Sequence, residues 1–292
     1  MSDQLANVEF EANGRARFHG KSQNLSRRRL LVSAAAGATS LALVNLPTAM
    51  AASPLPALSE VLAGDPGPMK VVNYAMYVQD RSRVDASRAE HQAYADALRE
   101  HDRLVMGGPL LDDDGRPCGV LLVYDVASKQ QAETLVQSDP FFLAGVIGDY
   151  RLNEWTVADR NVELLADSLV AAEQRVLPKA LRASGAKPGE PDAHAARTYV
   201  NYVKYRSDPA LVESVWPAHQ SYARTIKANG ELIIAGPFAD GSGALIVYRA
   251  RSKDEAMALV LQDPYRAEGV VETSALSEWR LFGLNADLIQ SR

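Results

Sequence analysis

Val72-Asn73-Tyr74-Ala75-Met76-Tyr77, with His91-Gln92-Ala93-Tyr94 after it, decides the fold because the chain writes it twice. The second copy reads Val200-Asn201-Tyr202-Val203-Lys204-Tyr205 and His219-Gln220-Ser221-Tyr222. Working outward, Gly108-Pro109 answers to Gly236-Pro237, Asp139-Pro140 to Asp263-Pro264, and Glu154-Trp155 to Glu278-Trp279. The offset is 128 residues as far as Pro109 and 124 beyond it, because the first copy has a loop around Leu110–Pro117 that is four residues longer. An offset that holds, steps once in a polar loop and holds again marks a duplicated domain. A period this long means two whole domains and not the short stacked units of a solenoid. Two of the five histidines lie inside the repeat, in register with tyrosines and an Asp-Pro step, so the duplication also points at a site.

Each copy alternates between strand and helix periods. Val71–Val78 is rich in Val and Tyr and reads as a strand. Val84–Glu100 places Ala86, Ala89, Ala93, Ala97 and Leu98 at helical spacing. Arg103–Met106 reads as a short strand stopped by Gly107-Gly108-Pro109, and Gly119–Val126 as a nearly continuous apolar strand, the pattern of burial on both faces. Ser128 caps a helix running through Val136, and after Asp139-Pro140 a short apolar turn leads to a last strand ending at Trp155. The order βαββαβ predicts an α+β fold, a ferredoxin-like antiparallel sheet with both helices on one face. That leaves one face bare, yet Val120, Leu122 and Tyr124 point opposite to Leu121 and Val123 and all are apolar. The second copy is the expected cover, the two sheets packing face to face as an intramolecular pseudo-dimer. The expected domains are 70–157 and 197–282. Between them, 158–196 is helical over Val162–Leu181, with an interruption at Pro178, and extended over Ala183–Ala196. Residues 283–292 form a C-terminal tail.

Residues 1–51 read as an export signal. Arg27-Arg28-Arg29 precedes a weakly apolar run from Leu30 to Leu46, and Ala49-Met50-Ala51 supplies the small residues of a cleavage site. The arrangement resembles a twin-arginine signal, with Val32 where a lysine often stands, and it implies a transient encounter with the twin-arginine export machinery. Cleavage is expected near Ala51-Ala52 and a periplasmic location with it. A disordered basic tail is the alternative. The run is too short and too interrupted to read as a membrane span, and no cysteine follows the cleavage site for lipid attachment, so no membrane anchor is expected. Loss of 1–51, with six basic and three acidic side chains, changes the net charge from −5 to −8 (25 basic, 33 acidic). An acidic chain without a basic run argues against nucleic acid as a partner. Lone Cys118 has no internal disulfide partner. No Cys/His cluster stands at zinc spacing and no glycine-rich phosphate loop follows a strand, so neither metal nor cofactor is expected.

The Arg-x-x-His near the start of the first helix, the Gly-Pro after the second strand and the Asp-Pro-[Phe/Tyr] before the last strand together resemble the YCII-related family. The resemblance covers most of Val71–Val157 and Tyr199–Leu281. It implies small domains of the dimeric α/β-barrel class. It also implies a site at a cleft between helix and sheet, built from a helix histidine and an aspartate. Carried over by position, these are His91 with Asp139 and His219 with Asp263. The halves depart from the family's helix start differently. The first keeps Arg88 but has Ala89, and the second keeps Pro217 but has Trp216.

Each candidate also has a structural explanation. A histidine at the boundary between a polar and an apolar helix face can be satisfied by a backbone carbonyl. As a site residue it is the side chain that exchanges a proton near neutral pH, with a carboxylate behind it to fix its tautomer. Asp before Pro is a good helix N-cap by itself. Tyr77 and Tyr205 suit the sheet core or a hydroxyl reaching the cleft, and Arg88 a solvated turn or a seat for a substrate anion. The Gly-Pro pairs read as strand exits, and Trp155 and Trp279 as packing at strand ends. Two readings follow. One is an enzyme without a cofactor, a lyase, isomerase or dehalogenase type in which histidine moves a proton on a small cyclic or carboxylated molecule. The other is a non-catalytic protein that binds a small ligand or serves as a structural partner.

Overall fold

The computed structural model describes residues 62, 67–161, 163–164, 196–285 and 288–289. The expected signal at 1–51, most of the joining helix and linker, and part of the tail lie outside the described residues. The first half contains β1 (Met69–Tyr77), α1 (Ser82–Glu100), β2 (Leu104–Leu111), β3 (Pro117–Val126), α2 (Lys129–Ser138), the single turn α3 (Pro140–Leu143) and β4 (Ile147–Glu154). A short β5 (Asp159–Arg160) follows. The second half repeats the order as β6 (Arg197–Tyr205), α4 (Pro209–Ala228), β7 (Leu232–Pro237), β8 (Gly243–Ala250), α5 (Lys253–Gln262), α6 (Pro264–Ala267), β9 (Val271–Trp279) and β10 (Gly283–Leu284).

Local chemistry sets the helix ends. Ser128 Oγ accepts from Gln131 N at 3.1 Å while Gln131 Oε1 accepts from Ala127 N at 2.8 Å, a reciprocal cap that starts α2. Ser252 and Glu255 do the same for α5. Asp208 Oδ1 accepts from Leu211 N at 3.1 Å, with Pro209 in the first turn, and starts α4. After α4 the chain turns through Gly230 at φ 74°; after α1 the matching turn is made by Asp102 at φ 55°. Short polar side chains tolerate that left-handed conformation better than other non-glycine residues.

Within each half the strands order as β4-β1-β3-β2 and β9-β6-β8-β7, all antiparallel. Strand periodicity sends Val72, Tyr74, Leu121 and Val123 inward, where they join Val200, Tyr202, Leu245 and Val247 in one core shared by both halves. The Tyr74 and Tyr202 rings meet there with centroids 4.7 Å apart. The opposite parity, Val71, Ala75, Val120, Leu122 and Tyr124, packs beneath α1 and α2. Tyr199, Val203, Ile246 and Tyr248 do so beneath α4 and α5. Burial on both faces is why the strands carry apolar residues of both parities.

The expected face-to-face pairing of the sheets is present, and hydrogen-bonded seams close it into a barrel. β2 continues beyond β9, pairing Leu110 with Trp279 and Leu111 with Glu278, and then with β10. β7 pairs with β5, and Trp155 bridges Phe238. In the first half the seam corrects the reading of the Gly-Pro step as a strand exit, because β2 runs through Gly107-Gly108-Pro109 to Leu111, whereas in the second half β7 does end at Pro237. A Cβ on Gly108 would sit 2.0 Å from Arg280 O, and one on Gly236 1.8 Å from Thr156 O, so glycine is what lets the other half's backbone approach. Trp279 Nε1 donates to Gly108 O at 3.0 Å and Trp155 Nε1 to Gly236 O at 2.9 Å. The repeated Gly-Pro and Glu-Trp motifs are thus two ends of one contact, each half supplying what the other needs.

Candidate active site

His91 projects from α1, two turns in, toward α3. Its Nδ1 lies 2.8 Å from Asp139 Oδ1 and 3.0 Å from Oδ2. Asp139 is the N-cap of α3, its Oδ1 accepting from Phe141 N at 2.8 Å. One carboxylate therefore both starts the turn and holds the imidazole. Phe141 lies flat against the imidazole, centroids 3.9 Å apart and planes 3° from parallel. Tyr77 meets Phe141 edge-on at 5.4 Å. The pair is buried, Asp139 at 1 % exposure and His91 at 9 %. An ionised carboxylate only accepts hydrogen bonds, so in the neutral ring this contact puts the proton on Nδ1 and the lone pair on Nε2, the opposite edge of the ring. Among the described residues no hydrogen bond is recorded for Nε2.

The second half reproduces the geometry. His219 Nδ1 is 2.8 Å from Asp263 Oδ1, and Asp263 caps α6 by accepting from Tyr265 N at 2.9 Å. Tyr265 stacks on His219 at 4.0 Å and 2°, and Tyr205 meets Tyr265 edge-on at 5.4 Å. The repeated helix tyrosines anchor each helix to the next, Tyr94 Oη donating to Leu135 O at 2.7 Å and Tyr222 Oη to Leu259 O at 2.6 Å.

The halves differ in what surrounds the dyad. In the first, His91 lines a cleft of about 280 Å³ between α1 and the sheet. The helix contributes Arg88, His91, Gln92, Ala95, Asp96 and Arg99, one face over three turns. The sheet contributes Leu104, Gly107, Gly108, Pro109, Val120 and Leu122; Tyr77, Phe141 and Phe282 complete the wall. Arg88 Nη2 meets Asp85 Oδ1 at 2.7 Å, an exposed pair of the kind that contributes little and exchanges readily. Burial first, and the charge of Asp139 second, push the Tyr77 phenol well above its usual value, so it stays a hydroxyl donor. Tyr205 is raised chiefly by burial, and Tyr265 is pushed up to about 12 for the same reason with Asp263 adding to it. In the second half Trp216 stands where Arg88 does, 44 % exposed, its ring 5.8 Å from His219. A more open groove of about 550 Å³ runs past Trp216, Tyr265, Lys204 and Arg206.

All seven residues singled out from the sequence therefore fall on the two dyads or beside them: His91, Asp139, Tyr77 and Arg88 in one half, His219, Asp263 and Tyr205 in the other. Sequence reasoning missed Phe141 and Tyr265 as the stacking partners, though the residue two after each capping aspartate is a readable signal. Arg99 lies at helical spacing from His91 and was equally open to that reading. Phe282 had no local signal, since the other half delivers it. Among the described residues no group of three His, Cys, Asp or Glu side chains comes together to hold a metal ion, and no helix is long and apolar enough to cross a membrane.

A pair of ferredoxin-like sheets closed by two seams, helices outside, defines a dimeric α/β barrel made within one chain. The chain belongs to the YCII-related domain family, whose model matches residues 69–156 and again 198–280, together more than half of the sequence. No curated protein sequence matches it. Among solved structures, it is similar to the 5-chloro-2-hydroxyhydroquinone dehydrochlorinase of Burkholderia phenoliruptrix AC1100 in complex with 2,5-dihydroxybenzoquinone. That match has 24% identity over 30% of this chain and 94% of that one, with a TM-score of 0.28. A putative monooxygenase from Lactobacillus acidophilus matches 74% of this chain and 95% of its own at 11% identity and a TM-score of 0.39. A mutant chlorite dismutase from Candidatus Nitrospira defluvii matches 75% and 94% at 10% identity and a TM-score of 0.44.

Proposed function

We propose that the chain is an exported enzyme in which His91, held by Asp139, moves a proton on a small cyclic or carboxylated organic molecule bound in the first-half cleft. The observation that carries this reading is the orientation of His91. Its Nδ1 is engaged by a buried carboxylate at 2.8 Å while the side chain lines an open cleft. Fixing the Nδ1–H tautomer gives the base a lone pair on Nε2, and the Asp139 charge stabilises the imidazolium once the proton has moved. A proton taken from carbon beside a carbonyl leaves its electron pair as an enolate. That pair either expels a leaving group on the adjacent carbon or takes a proton back at another position. Elimination, dehalogenation and isomerisation all fit this base. Tyr77, kept protonated by burial, supplies a hydroxyl for the developing oxyanion, and Arg88 and Arg99, on the same face of α1, supply positive charge for a carboxylate on the substrate.

A non-catalytic ligand-binding role is the second reading, and one observation favours it. The second half keeps the same dyad with Trp216 in place of arginine, so holding the capped turn against the helix is reason enough for the geometry. Proton exchange separates the two readings. The purified chain is incubated in D₂O with a panel of cyclic keto acids and hydroxylated benzoates, and loss of C–H signal is followed by NMR. Catalysed exchange that falls by on the order of a hundredfold in His91→Gln is the expected result. Exchange on no panel member, or exchange untouched by the substitution, overturns the enzyme reading.

A further inference from the structure

The seams lay a segment of each half against the cleft side of the other, in the same register. After Trp279, Arg280 N donates to Pro109 O at 3.0 Å, Phe282 N to Gly107 O at 2.9 Å and Asn285 N to Val105 O at 2.7 Å. After Trp155, Thr156 N donates to Pro237 O at 3.0 Å, Ala158 N to Ala235 O at 2.9 Å and Asn161 N to Ile233 O at 2.8 Å. Phe282 and Ala158 are therefore counterparts in space. Phe282 places an aromatic ring on the wall of the first-half cleft, whereas its counterpart has only a methyl group.

The next residue sharpens the difference. Asp159 takes Lys227 Nζ at 2.8 Å, an ion pair between β5 and α4. The counterparts are Gly283 and Arg99. A Cβ on Gly283 would lie 2.4 Å from Arg99 Nη2 and 2.7 Å from Cζ, so the guanidinium rests against bare backbone beside Phe282. Its ion pair, Nη1 to Asp96 Oδ1 at 2.7 Å, is exposed and contributes little. A guanidinium has five donors in a planar fork matched to a carboxylate. Among the described residues the first half thus holds an aromatic ring and a guanidinium without a carboxylate from the seam, where the second holds a methyl group and a lysine paired to the seam's Asp159.

We propose that the second half acts as a wall for the first: Phe282 is the specificity-determining residue of the His91 cleft, selecting ligands that present a flat apolar ring together with a carboxylate for Arg99. The duplicated chain then works with one such cleft and not two. The inference rests on the His91 cleft being the substrate site, but its test reads binding and needs no turnover. Phe282 is 37 % exposed and held by its backbone N–H, a bond in which its side chain takes no part, so its replacement by Ala, Leu or Tyr leaves the seam intact. Stacking on such a ring adds a several-fold gain in affinity for a flat ligand and little for a puckered one of similar bulk.

The test titrates 2-naphthoate, and cyclohexanecarboxylate as the puckered comparison, into the full chain by calorimetry. One naphthoate per chain is expected. Its affinity should fall about five- to tenfold in Phe282→Ala and return in Phe282→Tyr, and cyclohexanecarboxylate should change less than twofold. Arg99→Gln should weaken both carboxylates. Unchanged melting temperatures verify that the variants fold, and Phe282→Leu serves if the alanine variant does not. No naphthoate binding, two equal sites per chain, or equal affinity in the wild type and a folded Phe282 variant overturns the proposal. Histidine-dependent proton exchange with Phe282-independent binding removes the wall and keeps the enzyme. The converse pattern removes the enzyme and keeps the wall.

Discussion

Asp139→Asn is the most informative change to the dyad, because asparagine keeps one of the aspartate's two tasks and inverts the other. Its amide oxygen still accepts from Phe141 N, now at 2.8 Å, so α3 keeps its cap. Its NH₂ replaces Oδ2, 3.0 Å from His91 Nδ1, so the Nδ1–H then meets a donor beside the amide oxygen, which stands in the place of Oδ1 at 2.8 Å and is already engaged by Phe141 N. The cheapest relief is to move the ring proton to Nε2 so that Nδ1 accepts. The group facing the cleft is then a donor and no longer a base, and proton exchange should fall by on the order of a thousandfold or more. Stability should fall by only about 1–2 kcal/mol, since one charge-assisted hydrogen bond becomes a neutral one. Asp139→Ala removes the cap, about 1 kcal/mol, and strands a buried N–H, about 1–3 kcal/mol, for a total near 2–4 kcal/mol. Long-range ¹H–¹⁵N spectra read the tautomer, urea unfolding the stability and deuterium uptake the rate. The reasoning is refuted if the asparagine variant keeps Nδ1–H and full exchange, or if the two variants are equally unstable.

Three further outcomes test other parts of the argument. Gly236→Ala should cost about 3 kcal/mol, because a methyl 1.8 Å from Thr156 O pushes apart a seam made by Thr156 N, Ala158 N and Trp155 Nε1. Gly241→Ala, with φ 70° and open space around it, should cost only the left-handed strain of about 1–2 kcal/mol in urea unfolding, and equal costs would contradict the seam. Tyr74, Tyr77, Tyr94, Tyr124 and Tyr248 are all raised above 10.0, chiefly by burial. Their unfolded counterparts ionise first. The stability they contribute is complete below pH 10 and is lost as pH rises toward the folded values, so phenolate absorbance should appear together with loss of the circular dichroism signal. Phenolate at pH 10–11 in a folded chain would oppose this. Export predicts a mature N-terminus near Ala52, and Arg27→Lys with Arg28→Lys should leave the precursor in the cytoplasm. Recovery of intact Met1 or Ser2 from the envelope fraction would remove the cleavage reading.

The duplication, the βαββαβ order and the burial of both sheet faces were legible in the residues themselves, whereas the pairing of His91 with Asp139 came only as what the family resemblance implies. The first three rest on information carried locally or in register. Strand parity is written in alternating residues such as Val120 and Leu121, helix starts in Ser128 and Ser252, and the duplication in residues that recur first at 128 and then at 124 positions, His91 and Asp139 among them. Only the tertiary structure decided that Gly108 faces Arg280 and Gly236 faces Thr156, because a glycine reads the same at a strand exit and under a crossing backbone. Only it could tell the two halves apart as sites. The contrast between Phe282 beside Arg99 and Ala158 beside Lys227 lies between residues more than sixty positions distant along the chain. No local periodicity relates such residues. Closure of the barrel brings them together, since each half's free sheet edge must find hydrogen-bond partners and the nearest are on the other half.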